Sequence, residues 1–116
     1  MNAITGKKAR GNGRLLDELW QVIESRRGAD PQSSHTARLF EKGRTRIARK
    51  VGEEAIELIV EALQDNRDDA VEESADLVYH LLVLWADLGI RPEEVCEALA
   101  KRRGISGLEE KASRGK

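Results

Sequence analysis

The stretch KVGEEAIELIVEAL, residues 50–63, decides the fold because it predicts one long helix. Its apolar residues recur at intervals of three and four, which is the periodicity of an α-helix and not of a strand. Four glutamates, Glu53, Glu54, Glu57 and Glu61, lie along roughly one side of that helix. Like charges spaced in this way repel by about 0.2–0.5 kcal/mol per pair. Either these acids face water, where the cost is trivial, or a cation binds them.

The helix extends on both sides and has a partner of similar length. We predict it from about Arg44 to Gln64, followed by the turn DNRDD and a second long helix from about Asp68 to Leu88. Two long helices joined by a short turn pack as an antiparallel hairpin. From Leu77 to Trp85 the second helix is apolar on nearly all sides and needs burial on several of them. One chain offers little such cover, so we predict a homodimer whose helices complete a bundle.

The rest of the chain predicts three shorter helices, near residues 15–27, 35–41 and 92–103. No segment alternates as a strand does, and aromatic residues make up only 3% of the chain, so the core must be built from Leu, Ile, Val and Ala. The prediction is an all-α domain over residues 14–104. Residues 1–13 are predicted to be a flexible N-terminal arm, and residues 105–116 a polar C-terminal tail.

Composition narrows the function. A formal net charge of -1 does not favour a nucleic-acid or membrane partner. The longest nearly apolar run, residues 77–86, is about half of the ~20 residues that a membrane span needs, and no signal peptide is visible. The single cysteine, Cys96, excludes an internal disulfide and suits a reducing compartment, and we predict that it packs within a helix. The chain is predicted to be cytoplasmic.

Two pairs of acids stand out on the two long helices. Glu54 and Glu57 are three residues apart on the first, and Glu73 and Asp76 are three apart on the second. The fifteen residues between Glu57 and Glu73 leave room for the pairs to face each other across the hairpin. Converging carboxylates need cations, because unpaired buried charges cost several kcal/mol. Oxygen ligands suit Mg²⁺, with Mn²⁺ as a possible substitute.

The simpler interpretation is a solvated acidic stripe, and two features favour a site over it. Asp76 precedes a run of apolar residues, so a solvent-facing position is not expected there. Gly52 lies inside the helix, where it costs roughly 1 kcal/mol relative to alanine. Such a glycine indicates close approach of a backbone or a ligand.

Basic residues precede the acids. Arg46 and Lys50 are four residues apart and extend the acidic side toward the start of the helix. They could bind the phosphates of a polyphosphate substrate, or Lys50 could simply pair with Glu54. His80 could bind substrate or make a hydrogen bond within the core. These alternatives remain open from the residues alone.

KVGEEAIEL, followed by EESADLVYHLLVLWADLGI, resembles the phosphoribosyl-ATP pyrophosphatases of histidine biosynthesis. VIESRRGADPQSSHTARLFEKG is similar to the opening segment of that family and VCEALAKRR to its last helix, so the resemblance spans about residues 15–103. The paired acids alone are shared with the broader MazG-like all-α nucleotide pyrophosphohydrolases. His35 stands where an aromatic residue such as tyrosine is expected.

The resemblance implies Mg²⁺-dependent hydrolysis of 1-(5-phosphoribosyl)-ATP to 1-(5-phosphoribosyl)-AMP and pyrophosphate, the second step of histidine biosynthesis. It implies that the paired acids are the metal ligands and that Glu53 and Glu72 support them or act as the base for the attacking water. Arg46 and Lys50, and with them His80, would contact the substrate. The cyclohydrolase that takes the next step would be a separate protein.

Two other functions remain as alternatives. A house-cleaning (d)NTP pyrophosphohydrolase would use the same acids and differ only in its substrate contacts. A non-catalytic helical dimerisation module would need no metal at all.

Overall fold

The computed structural model describes residues 13–103. Within that range the chain forms helices and turns without any β-strand, which confirms the all-α prediction. In chain order the helices are α1 (Gly13–Ser25), α2 (His35–Lys42), α3 (Arg44–Leu63), α4 (Arg67–Leu88) and α5 (Pro92–Ala100). The predicted arm, apart from Gly13, and the predicted tail lie outside the described residues.

Local signals account for where the helices begin and end. The side chain of Ser34 accepts a hydrogen bond from the backbone N–H of Ala37 and so caps the start of α2. Gly43 separates α2 from α3 with a φ of 98°, and Gly89 ends α4 in the left-handed region with a φ of 76°. Glycine adopts such angles without steric cost, so both helices end where the sequence predicts.

Helices α3 and α4 form the antiparallel hairpin. Residues 64–66 connect them, and Asp65 makes the turn with a φ of 58°. At the opposite end Arg44, the first residue of α3, bonds Asp87 near the end of α4, with Nε 2.7 Å from Oδ2. Antiparallel packing places the start of one helix beside the end of the next, as this contact shows. This orientation brings the middle turns of α3 and α4, which carry the acids, side by side.

The core lies where α1, α2 and α3 pack against the second half of α4. Its buried members are mostly aliphatic: Ile23, Leu39, Ile47, Leu82, Val83 and Ala86. Trp20 and Trp85 are partly buried against this cluster. The side chain of Arg27 lies 5.0 Å above the ring of Phe40 and donates a hydrogen bond to the carbonyl of Ala86. These contacts fix α1 and α2 against the C-terminal half of α4.

The outer side of α3 is exposed within one chain. Ile56 is 63% exposed and Leu63 is 81% exposed, and Ile59 and Val60 are also open to solvent. Among the described residues of α3 only Ile47 and Glu54 are buried. Burying an aliphatic side chain of this size is worth about 1.5–3 kcal/mol. An apolar stripe left open in this way is the feature that a partner helix would cover.

Two details differ from the sequence prediction. Cys96 is exposed rather than packed, because α5 buries none of its residues in this chain. A Cβ atom at Gly52 would meet no atom of the described chain within 4 Å, so close approach of this chain's own backbone does not explain that glycine.

Among the helices between residues 13 and 103, none combines the length and the apolar character that crossing a bilayer requires.

Candidate metal centre

Three of the four predicted ligands meet between the long helices. Glu54 and Glu57 from α3 and Glu73 from α4 each place one carboxylate oxygen so that all three atoms lie within 4.8 Å of one another. Glu54 is buried, with 6% of its surface exposed, while Glu57 stays open to solvent on one side. Small side-chain movements would let these three oxygens share one Mg²⁺ ion, because oxygens bound to it at about 2.0–2.1 Å lie at most about 4.2 Å apart.

Two carboxylate oxygens of these residues lack a donor. Oε1 of Glu54 and Oε1 of Glu73 are shielded from solvent and accept no hydrogen bond from the part of the chain that the structure describes. Burial, together with the neighbouring carboxylates of Glu54 and Glu57, raises the pKa of Glu73 from 4.5 to about 7. A proton or a metal ion relieves such a cluster, since an unsatisfied buried charge is costly. The donor set is therefore suited to a hard divalent cation such as Mg²⁺.

The elevated pKa predicts how the metal-free protein responds to pH. The folded state holds the Glu73 proton more tightly than the unfolded state does, so stability is highest below about pH 4.5 with respect to this group and falls as the pH rises toward about 7. Thermal melts in EDTA across this range should show that decline, and Glu73→Gln should flatten it. An unchanged slope in Glu73→Gln would mean that another group titrates.

Asp76, the fourth predicted ligand, is placed differently. It lies one turn after Glu73 on α4, and its oxygens are outside the three-acid cluster. Its side chain is exposed, so the expectation that this position would not face solvent was wrong. Aspartate is one methylene shorter than glutamate, so from a neighbouring turn its carboxylate reaches less far toward α3. Its role as a ligand stays a prediction.

Lys50 lies directly beside the cluster. Its Nζ is 3.3 Å from Glu54 and 3.4 Å from Glu53. Burial alone would lower the pKa of Lys50, but the bonds to the two glutamates outweigh this effect and raise it. The ion pair that the sequence left as an alternative is thus present, and it holds a positive charge at the edge of the acids.

Glu53 and Glu72, the predicted base or supporting groups, are both exposed. Each directly precedes a cluster member, and successive residues on a helix point about 100° apart. Their side chains therefore leave the helices beside the cluster rather than into it. Apart from the ion pair of Glu53 with Lys50, the structure gives neither one a bond in this region, and their roles stay predictions.

Next to the acids is a group of rings that sequence reasoning did not assemble. His80 is buried, and its Nδ1–H donates to the backbone carbonyl of Asp76 at 2.8 Å. The ring of Tyr79 packs edge-on against it at 4.9 Å, and His35 from α2 stacks on Tyr79 at 6.3 Å. Thr36 shares a hydrogen bond with the hydroxyl of Tyr79. No local pattern signals this group, because His35 and Tyr79 are far apart in the chain.

Basic side chains surround these rings. Partial burial lowers the pKa of His35, and the electrostatic effects of nearby residues act in the same direction: His80, Arg38, Lys50 and Arg46. Arg46, a predicted substrate contact, therefore lies on the same side of the molecule as the rings and the acids.

Comparison with known proteins shows the family of this chain. A family model described as phosphoribosyl-ATP pyrophosphohydrolase matches residues 16–103. The chain belongs to the phosphoribosyl-ATP pyrophosphohydrolase family. That match includes all three clustered acids and the rings, and it confirms the resemblance seen in the motifs.

Members of the phosphoribosyl-ATP pyrophosphohydrolase family resemble this chain over most of their length. A protein named phosphoribosyl-ATP pyrophosphatase from Paramagnetospirillum magneticum is 54% identical over 105 residues, which are 90% of this chain and 96% of that protein. The protein of the same name from Azospirillum brasilense is 51% identical over 100 residues, 86% of this chain and 90% of that protein. The one from Rhodospirillum rubrum is 53% identical over 102 residues, 88% and 87% of the two chains.

Proposed function

We propose that this chain hydrolyses 1-(5-phosphoribosyl)-ATP to 1-(5-phosphoribosyl)-AMP and pyrophosphate, in the second step of histidine biosynthesis. The observation that carries the proposal is the meeting of Glu54, Glu57 and Glu73 between the long helices, with two buried oxygens that lack a donor. Family membership supports the choice of substrate. Hydrolysis by a metal-activated water needs no covalent nucleophile.

The clustered acids would hold Mg²⁺, or Mn²⁺ in its place. When bound, the ion supplies charge neutralisation at the phosphoanhydride and an acidic water. Glu54, Glu57 and Glu73 would fix its position from two helices, and Asp76 would complete the set from the next turn of α4. Glu53 and Glu72 are the candidate bases, because each leaves its helix beside the cluster.

Arg46 and Lys50 would contact the phosphates. The side chain of Lys50 is already held at the edge of the acids by Glu53 and Glu54, and Arg46 lies one turn earlier on α3. A charged donor on a phosphate contributes about 1.5–3 kcal/mol, so each contact favours substrates that carry several phosphates.

Arg46→Gln tests this placement against a matched change on the same helix. We expect KM for phosphoribosyl-ATP to rise roughly tenfold, as the loss of one charged hydrogen bond requires. Arg49→Gln removes an equal charge from another exposed position of α3 and should change KM less than twofold. Equal effects of the two substitutions would show that Arg46 acts only through net charge.

The active form would be a homodimer that covers the open stripe of α3. Ile56, Val60 and Leu63 are spaced four and three residues apart and are exposed together, which is the pattern of a helix seam. This chain would act in the cytoplasm, and the cyclohydrolase of the following step would be its partner in the pathway.

The competing enzyme function is hydrolysis of ordinary or non-canonical (d)NTPs. Rates on phosphoribosyl-ATP and on a dNTP panel, each with Mg²⁺ and with EDTA, separate the possibilities. We expect a clear preference for phosphoribosyl-ATP and loss of turnover in EDTA. Preference for a dNTP would show that a dNTP, not phosphoribosyl-ATP, is the substrate. If none of these compounds is hydrolysed, the non-catalytic dimerisation module is favoured.

A further inference from the structure

The rings of His35, Tyr79 and His80 form a second half of the site, next to the acids. His80 lies seven residues after Glu73 on α4, which is two turns, or about 10.5 Å, along the same face. A nucleotide whose phosphoanhydride binds a cation on the acids can therefore extend its sugar and base toward these rings. This reasoning depends on the proposed function for the identity of the substrate.

His80 offers an unused hydrogen-bonding atom in this place. Because Nδ1–H donates to the carbonyl of Asp76, the neutral ring has its lone pair on Nε2. Nε2 is shielded from solvent and has no hydrogen-bond partner among residues 13–103. The residue is only 6% exposed, and a polar atom buried to this degree normally has a partner. An N–H or O–H donor of a ligand would satisfy it.

His35 forms the outer edge of the same group. Its side chain is exposed, and its ring stands nearly perpendicular to that of His80 with the centroids 6.2 Å apart. The ring is anchored by stacking on Tyr79, which is itself bonded to Thr36. An exposed, anchored ring is a surface on which a planar base can stack. Partial burial and the neighbouring charges lower the pKa of His35, which favours the neutral ring.

We propose that His35, Tyr79 and His80 bind the nucleoside part of the substrate. The exposed face of His35 stacks on the base, and Nε2 of His80 accepts a hydrogen bond from an N–H or O–H group of the nucleoside. The polyphosphate, in contrast, would bind Lys50 and the cation that the acids would hold. His35 and His80 are thus positioning residues that determine specificity for a nucleotide over a simple polyphosphate.

Equilibrium dialysis with two probes, AMP and pyrophosphate, each with Mg²⁺, tests the division. We expect His35→Ala and His80→Phe to raise the Kd for AMP about tenfold and to change the Kd for pyrophosphate less than twofold. His35→Phe, which keeps a ring, should bind AMP nearly as well as the original chain. Unchanged AMP affinity in His35→Ala, or equal weakening of both probes, would overturn the proposal.

Because His80 is buried, its substitution can disturb the fold. AMP analogues that bind the unaltered chain provide an independent test. On the unaltered chain, one of 2′-deoxy-AMP, 3′-deoxy-AMP and IMP should bind about tenfold more weakly than AMP. That ligand identifies a ribose hydroxyl or the base amino group as the donor. Full affinity for all three would overturn the role of His80. If His35→Ala keeps normal AMP affinity and the chain hydrolyses phosphoribosyl-ATP, only the nucleoside subsite is rejected. If AMP binding depends on the rings but the chain does not hydrolyse phosphoribosyl-ATP, only the proposed function is rejected.

Discussion

Glu57→Gln is expected to lower kcat for phosphoribosyl-ATP roughly 10³-fold or more in saturating Mg²⁺. The carboxylate of Glu57 is one of three that meet within 4.8 Å, and removing its charge weakens the hold on the cation that neutralises the phosphates. Charge stabilisation by a metal is worth several kcal/mol in the transition state, and each 1.36 kcal/mol is a factor of ten in rate. Steady-state assays across Mg²⁺ concentrations measure the loss.

Glu61→Gln is the matched control. Glu61 lies one turn after Glu57 on α3, and its carboxylate bonds Asn66 at 2.8 Å instead of joining the cluster. The substitution removes the same charge and should leave kcat within about twofold. If Glu61→Gln is as damaging as Glu57→Gln, general electrostatics rather than metal binding governs the rate.

The same variant makes a distinctive prediction for stability. In EDTA, Glu57→Gln should leave the melting temperature unchanged or raise it, because repulsion among three carboxylates is relieved. The rise in melting temperature that Mg²⁺ gives the original chain should disappear. A loss of several kcal/mol in EDTA would identify Glu57 as a structural ion-pair partner, and an unaltered Mg²⁺ effect would remove it from the metal site.

Ile56→Glu is expected to convert the proposed homodimer into monomers, raising the dimer Kd by at least about 100-fold. The substitution puts a carboxylate into the apolar stripe of both subunits at once, because a twofold interface repeats each change. An uncompensated charge buried in such a contact costs about 3–5 kcal/mol, which corresponds to roughly 10²–10³ in Kd. Light scattering during size-exclusion chromatography over a concentration series measures the shift.

Leu99→Glu serves as its control. Leu99 on α5 is 60% exposed, close to the 63% of Ile56, so both changes put a charge in place of an equally open aliphatic side chain. Leu99→Glu should leave the mass unchanged. If Leu99→Glu is monomeric and Ile56→Glu remains dimeric, the interface lies on α5 and not on α3.

The helices were predictable because their signals are local. The first long helix was predicted from Arg44 to Gln64 and runs from Arg44 to Leu63, and the second was predicted from Asp68 to Leu88 and begins one residue earlier. Periodicity, the Ser34 cap and the glycines at 43 and 89 each act over a few residues. The ends of these helices can therefore be predicted without knowing any long-range contact.

Part of the site could be predicted for a similar reason. Glu54 and Glu57 share a helix face by spacing alone, and the short turn after Leu63 brings Glu73 to their level. The outward position of Asp76 could not be read in this way, because it depends on how α4 is rotated against α3. The same rotation decides that Glu54 is buried whereas Glu57, on the same face, is not.

The sequence by itself determined the helices, their antiparallel order and the approach of Glu54 and Glu57 to Glu73 across the hairpin, since each follows from spacing along one or two neighbouring segments. Only the tertiary structure brought His35 of α2 against Tyr79 and His80 of α4, left the outer stripe of α3 open, and withheld a donor from Nε2 of His80. The physical reason is that such contacts depend on the packing angles of whole helices, which the sum of many side-chain contacts fixes and no short stretch of sequence encodes.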